Sequence, residues 1–368
     1  MTPPKLSLHQ LNRALLSRQM LLERASLAPL QAVEKLVALQ AQIPNPPYIG
    51  LWTRLAHFTR DELTQLMHAR QIVRAAWLRS TLHLIPAPLH QDYRATLLPA
   101  LERAYKSFNG PRTQGVDVER LVAAARDHLN QAPRTTGELR ARLLEVQPDK
   151  NGDTLAYAVR TYLPLVQIPP GGTWGSGSQA SYTTAENWLG APKDADDLTG
   201  LFRRYLAAFG PASLMDFQTW TGLTRLKNVE AQLTHDLTSY RGPDGKLLYD
   251  LPGHQLPPAA TPAPPRFIPE YDNLLIAHAD RTRILPEADR SKVFLSAARV
   301  RATFLVDGFV AGTWRTERSK RSAALVIEPF RPLEPATSAT LAEEGERLLR
   351  FIEDDAPAYD LRFAPYNA

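Results

Sequence analysis

The stretch Leu36-Val37-Ala38-Leu39-Gln40-Ala41-Gln42-Ile43-Pro44-Asn45-Pro46-Pro47 organises the reading of this chain. Ile43 precedes Pro44, and a proline ring drives the residue before it out of the helical region. The helix carrying Leu36, Val37 and Leu39 is therefore predicted to end near Gln40. Beyond that boundary the backbone runs extended, and residues two apart project to the same side. Gln40 and Gln42 can then converge on one point. Neutral carboxamides supply donors and acceptors that do not titrate, which suits holding a water molecule or a polar ligand rather than moving a proton. Taken alone, the pair reads first as two solvated glutamines at a helix end, because so short a pattern recurs by chance.

Outward from this stretch the chain is helical. Ser7 and Gln10 form a capping box opening a helix through Leu8, Leu11, Leu15 and Leu16, and Pro29 starts the helix that leads to the glutamines. A short helix over Leu51 to Phe58 and a second capping box, Thr59 with Glu62, follow. The strand-like segments Ile72 to Trp77 and Leu82 to Ile85 then close a unit with the plan of a winged helix. The plan recurs. A helix from about Leu89 to Phe108 leads to helices at Val118 to Leu129, after Thr135 with Glu138, and at Asp153 to Leu163. Strands Leu165 to Pro169 and Ala180 to Thr184 flank the glycine-rich 171–177. A third unit runs through Leu198 to Phe209, Leu214 to Trp220 and Thr224 to Leu233, with a wing from Leu237 to Arg241 and Lys246 to Asp250.

Six prolines between Leu251 and Pro265 mark a linker. After it come short strands predicted at Phe267-Ile268, Leu274 to Ala277, Lys292 to Leu295, Ala302 to Val306, Phe309 to Trp314 and Ala323 to Ile327, then a helix at Leu341 to Ile352. This pattern suggests a small barrel or curled sheet. The expected class is α+β: three tandem winged-helix units at 1–110, 111–192 and 193–251, a linker at 252–265, and a β-barrel-like domain at 266–368.

At 368 residues the chain can hold several compact units. With 44% hydrophobic and 22% charged residues it is ordinary for a soluble protein, and its apolar runs are shorter than the roughly 20 residues that cross a bilayer. A cytoplasmic location is expected. Zero cysteines exclude disulfides, thiol nucleophiles and cysteine-held metals, and the nine histidines show no metal spacing, so no cofactor is expected. The net charge of +5 permits a polyanionic partner. Its clustering is more informative, because Trp314 to Arg321 places Arg315, Arg318, Lys320 and Arg321 with one acid at a hairpin tip. Such a ribbon can clamp phosphates or enter a DNA groove. Arg79 and His83 in the first wing are the next candidates for DNA contact, although a lone strand histidine more often faces its own domain. Tyr48 and Trp52 can pack on a sugar or base but read more readily as core, and Asp272 reads as a buried carboxylate with a backbone partner.

Leu39-Gln40-Ala41-Gln42, Arg79 to Leu84, Phe209-Gly210-Pro211-Ala212, Arg266 to Leu275, and Val306-Asp307-Gly308 with Gly312-Thr313-Trp314 together resemble the AlkZ/YcaQ-like winged-helix DNA glycosylases over nearly the whole chain. The family's two-glutamine motif matches Gln40 and Gln42. The YcaQ-type branch has an aspartate where Gln42 stands, so the chain resembles the AlkZ branch. The resemblance implies a monofunctional glycosylase, with Gln40 and Gln42 catalytic, acting on double-stranded DNA that carries N7-alkylated purines. It further implies bulky adducts or interstrand crosslinks as substrates, in repair or self-resistance. A monomer without an obligate protein partner is expected. Two other readings stay open: a non-enzymatic winged-helix regulator, and a drug-sequestering resistance protein.

Overall fold

The helix ahead of the glutamines, Pro29–Leu36, ends sooner than expected. Val37 takes a left-handed φ of 69°, and Leu39–Gln40 becomes a short strand, β1. Long-range pairing explains the difference, since Leu39 and Gln40 lie opposite Leu84 and His83 on a neighbouring strand. The ladder removes residues that local periodicity had assigned to the helix.

The computed structural model describes residues 2–177, 179–191, 193 and 196–366, and its class is α+β. Strands β1, β2 (Ile72–Ala76), β3 (Leu82–Pro86), β4 (Arg134–Thr135), β5 (Leu165–Ile168) and β6 (Ser181–Thr184) form one sheet in the order β1-β3-β2-β5-β6-β4. The first two predicted hairpins are thus joined, with Arg74 opposite Gln167 and Ala75 opposite Val166. β7 (Thr238–Arg241) and β8 (Leu247–Asp250) form a separate hairpin, beside which Lys5 bridges Arg241. The predicted helix over Leu89 to Phe108 is two helices, Ala87–Tyr93 and Leu98–Asn109.

The C-terminal region departs from a barrel. β9 (Arg266–Ile268), β10 (Thr303–Val306), β11 (Phe309–Arg318), β12 (Ala323–Pro329) and β13 (Tyr359–Phe363) make a five-stranded sheet in the order β13-β12-β11-β10-β9, open between β13 and β9. Two of the predicted strands are helical turns rather than parts of this sheet. Asn273–Ile276 is a helix whose N-terminus is capped by Asp272, which accepts from the Leu274 amide at 2.9 Å. Arg290–Val293 is another, with Lys292 paired one turn back to Asp289 at 3.0 Å. Helix Pro335–Ile352 covers one face of the sheet, and Leu341, Leu348 and Leu349 pack with Phe267, Phe304 and Leu325. A Cβ on Gly345 would stand 2.8 Å from Leu325, so glycine permits this close approach.

The main core runs from Leu15 and Leu16 through Trp77, Phe202, Tyr205 and Trp220 to Leu305 and Phe330, so distant segments share it. The N-terminal helix Leu8–Arg18 is a central strut. Arg18 pairs bidentately with Asp250 at 2.8 and 2.6 Å, while Asn12 Nδ2 donates to the carbonyls of Arg283 and Gly308, both at 2.8 Å. Among the described residues no helix is long and apolar enough to cross a membrane.

Candidate active site

Burial alternates along the motif: Leu39 and Ala41 are buried, Gln40 is half-buried and Gln42 is exposed. Gln40 closes β1 opposite the buried His83, and Gln42 lies two residues on at a bend, the more exposed of the two. The ladder continues past Gln40, because the Ala41 amide donates to the Leu82 carbonyl at 2.7 Å.

Distant parts of the chain grip this strand through its backbone. Asn273 Nδ2 donates to the Ala38 carbonyl at 2.7 Å. Arg74, buried on β2, donates through Nε and Nη2 to the Ala41 carbonyl at 3.0 and 2.6 Å. Its Nη2 also reaches the Gln42 carbonyl at 3.3 Å, and its Nη1 donates to Gln167 Oε1 on β5. The Gly175 amide donates to Asn45 Oδ1 at 3.0 Å, tying the glycine-rich loop to the end of the motif. These contacts hold the glutamine backbone in one place, as a catalytic constellation requires. Sequence reading missed Arg74, Asn273 and Asn45. Arg74 alone left a signal, as the one charge inside the otherwise apolar Ile72-Val73-Arg74-Ala75-Ala76.

The side chains are held unequally. Gln40 Oε1 accepts from Arg79 Nη2 at 2.9 Å, and Arg79 Nη1 donates to the Trp220 carbonyl. A guanidinium offers only donors, so this contact dictates which end of the Gln40 amide is oxygen. Gln42 Oε1 stands 3.4 Å from the Leu82 amide, a long contact that leaves its acceptor capacity largely free. Burial pushes Arg79 down to about 10, with the charge of Arg281 adding to the effect. It remains a cation at neutral pH.

The expected DNA contacts divide. His83 is fully buried, and its Nδ1 lies 3.0 Å from the Thr81 carbonyl, so Nδ1 carries the proton and Nε2 is an unpartnered acceptor. Burial, and then the nearby Arg79, hold it down to about 3, so it is neutral. His83, expected at the DNA, is an interior residue, edge-on to Trp77 with ring centres 6.4 Å apart. Arg79 is likewise turned inward, between Gln40 and Trp220. On the hairpin, Arg315 bonds to Glu317 and, at 3.2 Å, to Glu328. Arg318 lies 3.6 Å from Glu353 and 3.2 Å from Asp355. Lys320 and Arg321, exposed in the β11–β12 turn, have no ion pair among the described residues. Tyr48 is buried and half-buried Trp52 lies under the Arg24 guanidinium, 4.6 Å from the ring centre. Asp272 is buried against Arg54 in a bidentate pair, both contacts at 2.8 Å. Among the described residues no group of three or more histidines or carboxylates is placed to hold a metal ion.

The class follows from this fold and a match along most of the chain. A family model described as DNA glycosylase AlkZ-like covers residues 33–351, and the chain belongs to that family of enzymes. Among individual proteins, it is 23% identical over 360 residues to the interstrand DNA cross-link repair glycosylase of Streptomyces sahachiroi, spanning 91% of this chain and 94% of that one. It also matches the solved structure of the Streptomyces sahachiroi DNA glycosylase AlkZ with a TM-score of 0.80 at 19% identity. That match covers 98% of this chain and 100% of the other, and it shows a shared fold.

Proposed function

We propose that this enzyme is a monofunctional glycosylase that hydrolyses the N-glycosidic bond of N7-alkylated purines in double-stranded DNA, with bulky adducts or interstrand crosslinks as its substrates. The observation that carries this reading is the half-buried Gln40 and exposed Gln42 in a segment held by Arg74 and Asn273, with the Gly175 amide bonded to Asn45 just beyond. It is supported by a relative named for interstrand cross-link repair. A purine alkylated at N7 is already cationic, so its bond to C1′ breaks without a general acid. What remains is to place water against an oxocarbenium-like sugar. The water oxygen bonds to C1′, the electron pair of the C1′–N9 bond neutralises the departing base, and the water loses a proton to solvent. A carboxamide oxygen such as that of Gln42 can orient the water by accepting one of its hydrogens. A crosslinked base cannot be swung out freely, and a shallow, exposed site suits such a substrate.

The same proposal assigns winged-helix units to 1–110, 111–192 and 193–251. It is supported by the helices that precede the β2–β3, β5–β6 and β7–β8 hairpins. It places DNA phosphates against Lys320 and Arg321 first, and takes the working species as a monomer. The test is incubation with a duplex carrying one N7-alkylated guanine, without added metal, followed by alkaline cleavage. Strand breaks at the lesion are expected. A sequence-specific footprint on undamaged DNA without breaks would instead mark a regulator, and binding of free genotoxin without base release a sequestering protein.

A further inference from the structure

Arg79 occupies a position that neither a DNA contact nor a simple surface cation explains. It and Ser80 both take left-handed backbone angles, φ 52° and 59°, in the turn between β2 and β3. Such backbone angles are unfavourable for residues with a Cβ and persist only where their surroundings hold them. Here the Ser80 and Tyr157 hydroxyls are 2.9 Å apart, and the Thr81 hydroxyl donates to the Leu78 carbonyl at 3.1 Å. The turn aims the Arg79 guanidinium at the end of helix Leu214–Thr221, where it meets the Trp220 carbonyl. The last carbonyls of a helix lack intrahelical partners and carry the negative end of its dipole, so a cation is favoured there. Gly222, left-handed at φ 83°, ends that helix with a position for its Cβ 3.5 Å from the Arg79 Cα. The second arm of the guanidinium takes Gln40 Oε1 at 2.9 Å.

We propose that Arg79 is a positioning residue that holds the Gln40 carboxamide with its oxygen inward and its NH2 outward, so that the two glutamines act as unlike partners. This rests on the glycosylase reading above. A charge-assisted bond to the oxygen polarises the amide and strengthens its N–H groups as donors. One of them donates to a lone pair of the attacking water, while Gln42 Oε1 accepts one of its hydrogens. The other lone pair is left facing C1′. Gln40 therefore works as a donor and Gln42 as an acceptor. Because the guanidinium is anchored on helix Leu214–Thr221, the docking of that helix sets the orientation of a side chain far from it in sequence.

The test is single-turnover release of an N7-alkylated guanine, with the Kd for the same duplex measured in parallel. Gln40→Glu keeps an oxygen for Arg79 but replaces the outward NH2 by an acceptor, so it should be as slow as Gln40→Ala. Gln42→Glu retains an acceptor and should be faster than Gln42→Ala. Arg79→Met should lower the single-turnover rate about tenfold to a hundredfold with the Kd unchanged, and Arg79→Lys should restore part of the rate. A wild-type rate in Gln40→Glu would overturn the assignment, as would an Arg79→Met loss that lies wholly in DNA affinity. If Arg79→Met fails to fold, the Gln40→Glu and Gln40→Ala comparison decides alone. If the wild type releases no base, the glycosylase reading falls. The clamp is then judged by the Gln40 side-chain amide resonance, which moves in Arg79→Lys if the contact exists and stays if it does not.

Discussion

Single residues hold the glutamine segment in place, and Arg74 shows the cost of letting go. It is buried and satisfies the Ala41 carbonyl twice and Gln167 once, while the position a Cβ would take on Gly172 lies 2.5 Å from its Cδ. Arg74→Met removes the donors and leaves those acceptors buried. Chemical denaturation should then show a loss of about 2–4 kcal/mol, and catalysis should fall further as the motif loosens. His83 and His90 sit at the same scale. Burial first, and then the neighbouring Arg79 and Arg94 respectively, lower both to about 3 from an ordinary 6.5. Below pH 6.5 the unfolded chain binds protons that the folded chain refuses, so stability rises with pH there. The Tm should be steady above about pH 6.5 and fall as the pH drops toward about 3. A Tm unchanged between pH 7 and 4 would contradict neutral, buried imidazoles.

Elements were legible where the sequence signal was local. The capping boxes Ser7 with Gln10 and Thr135 with Glu138 open helices as expected, since each is a contact between neighbours in sequence. Leu274 to Ala277 was not legible, since a short apolar run reads alike as strand or buried helix. Asp272 resolves it through contacts with Leu274 and with Arg54, more than two hundred residues away. Asp272→Ala strips that helix of its cap and leaves the Arg54 charge buried, so a loss of about 3–5 kcal/mol is expected by denaturation. The joining of β2 to β5 and the grip of Arg79 on Gln40 depend on tertiary placement that no window of sequence contains. At the β11–β12 hairpin, composition gave four cations, but Arg315 and Arg318 are engaged by carboxylates. Lys320→Ala/Arg321→Ala should reduce the slope of log affinity against log salt for undamaged duplex by about 1.8, one phosphate each, while Arg318→Ala does less. Equal slopes for wild type and the double variant would place the phosphates elsewhere.

For the whole molecule, the strand bearing the glutamines is a meeting point. Asn273 comes from the C-terminal region, Gly175 from the second hairpin, and Arg79 brings the last turn of helix Leu214–Thr221. A two-residue strand has little stability of its own, so the site exists only when these parts are assembled. The most direct test compares wild type with Gln40→Ala/Gln42→Ala in single-turnover release of N7-methylguanine from a duplex, at protein concentrations that saturate the DNA for both. The double variant should bind the duplex as the wild type does and release base no faster than the duplex loses it in buffer. Release at the wild-type rate by the double variant would remove the glutamines from the mechanism.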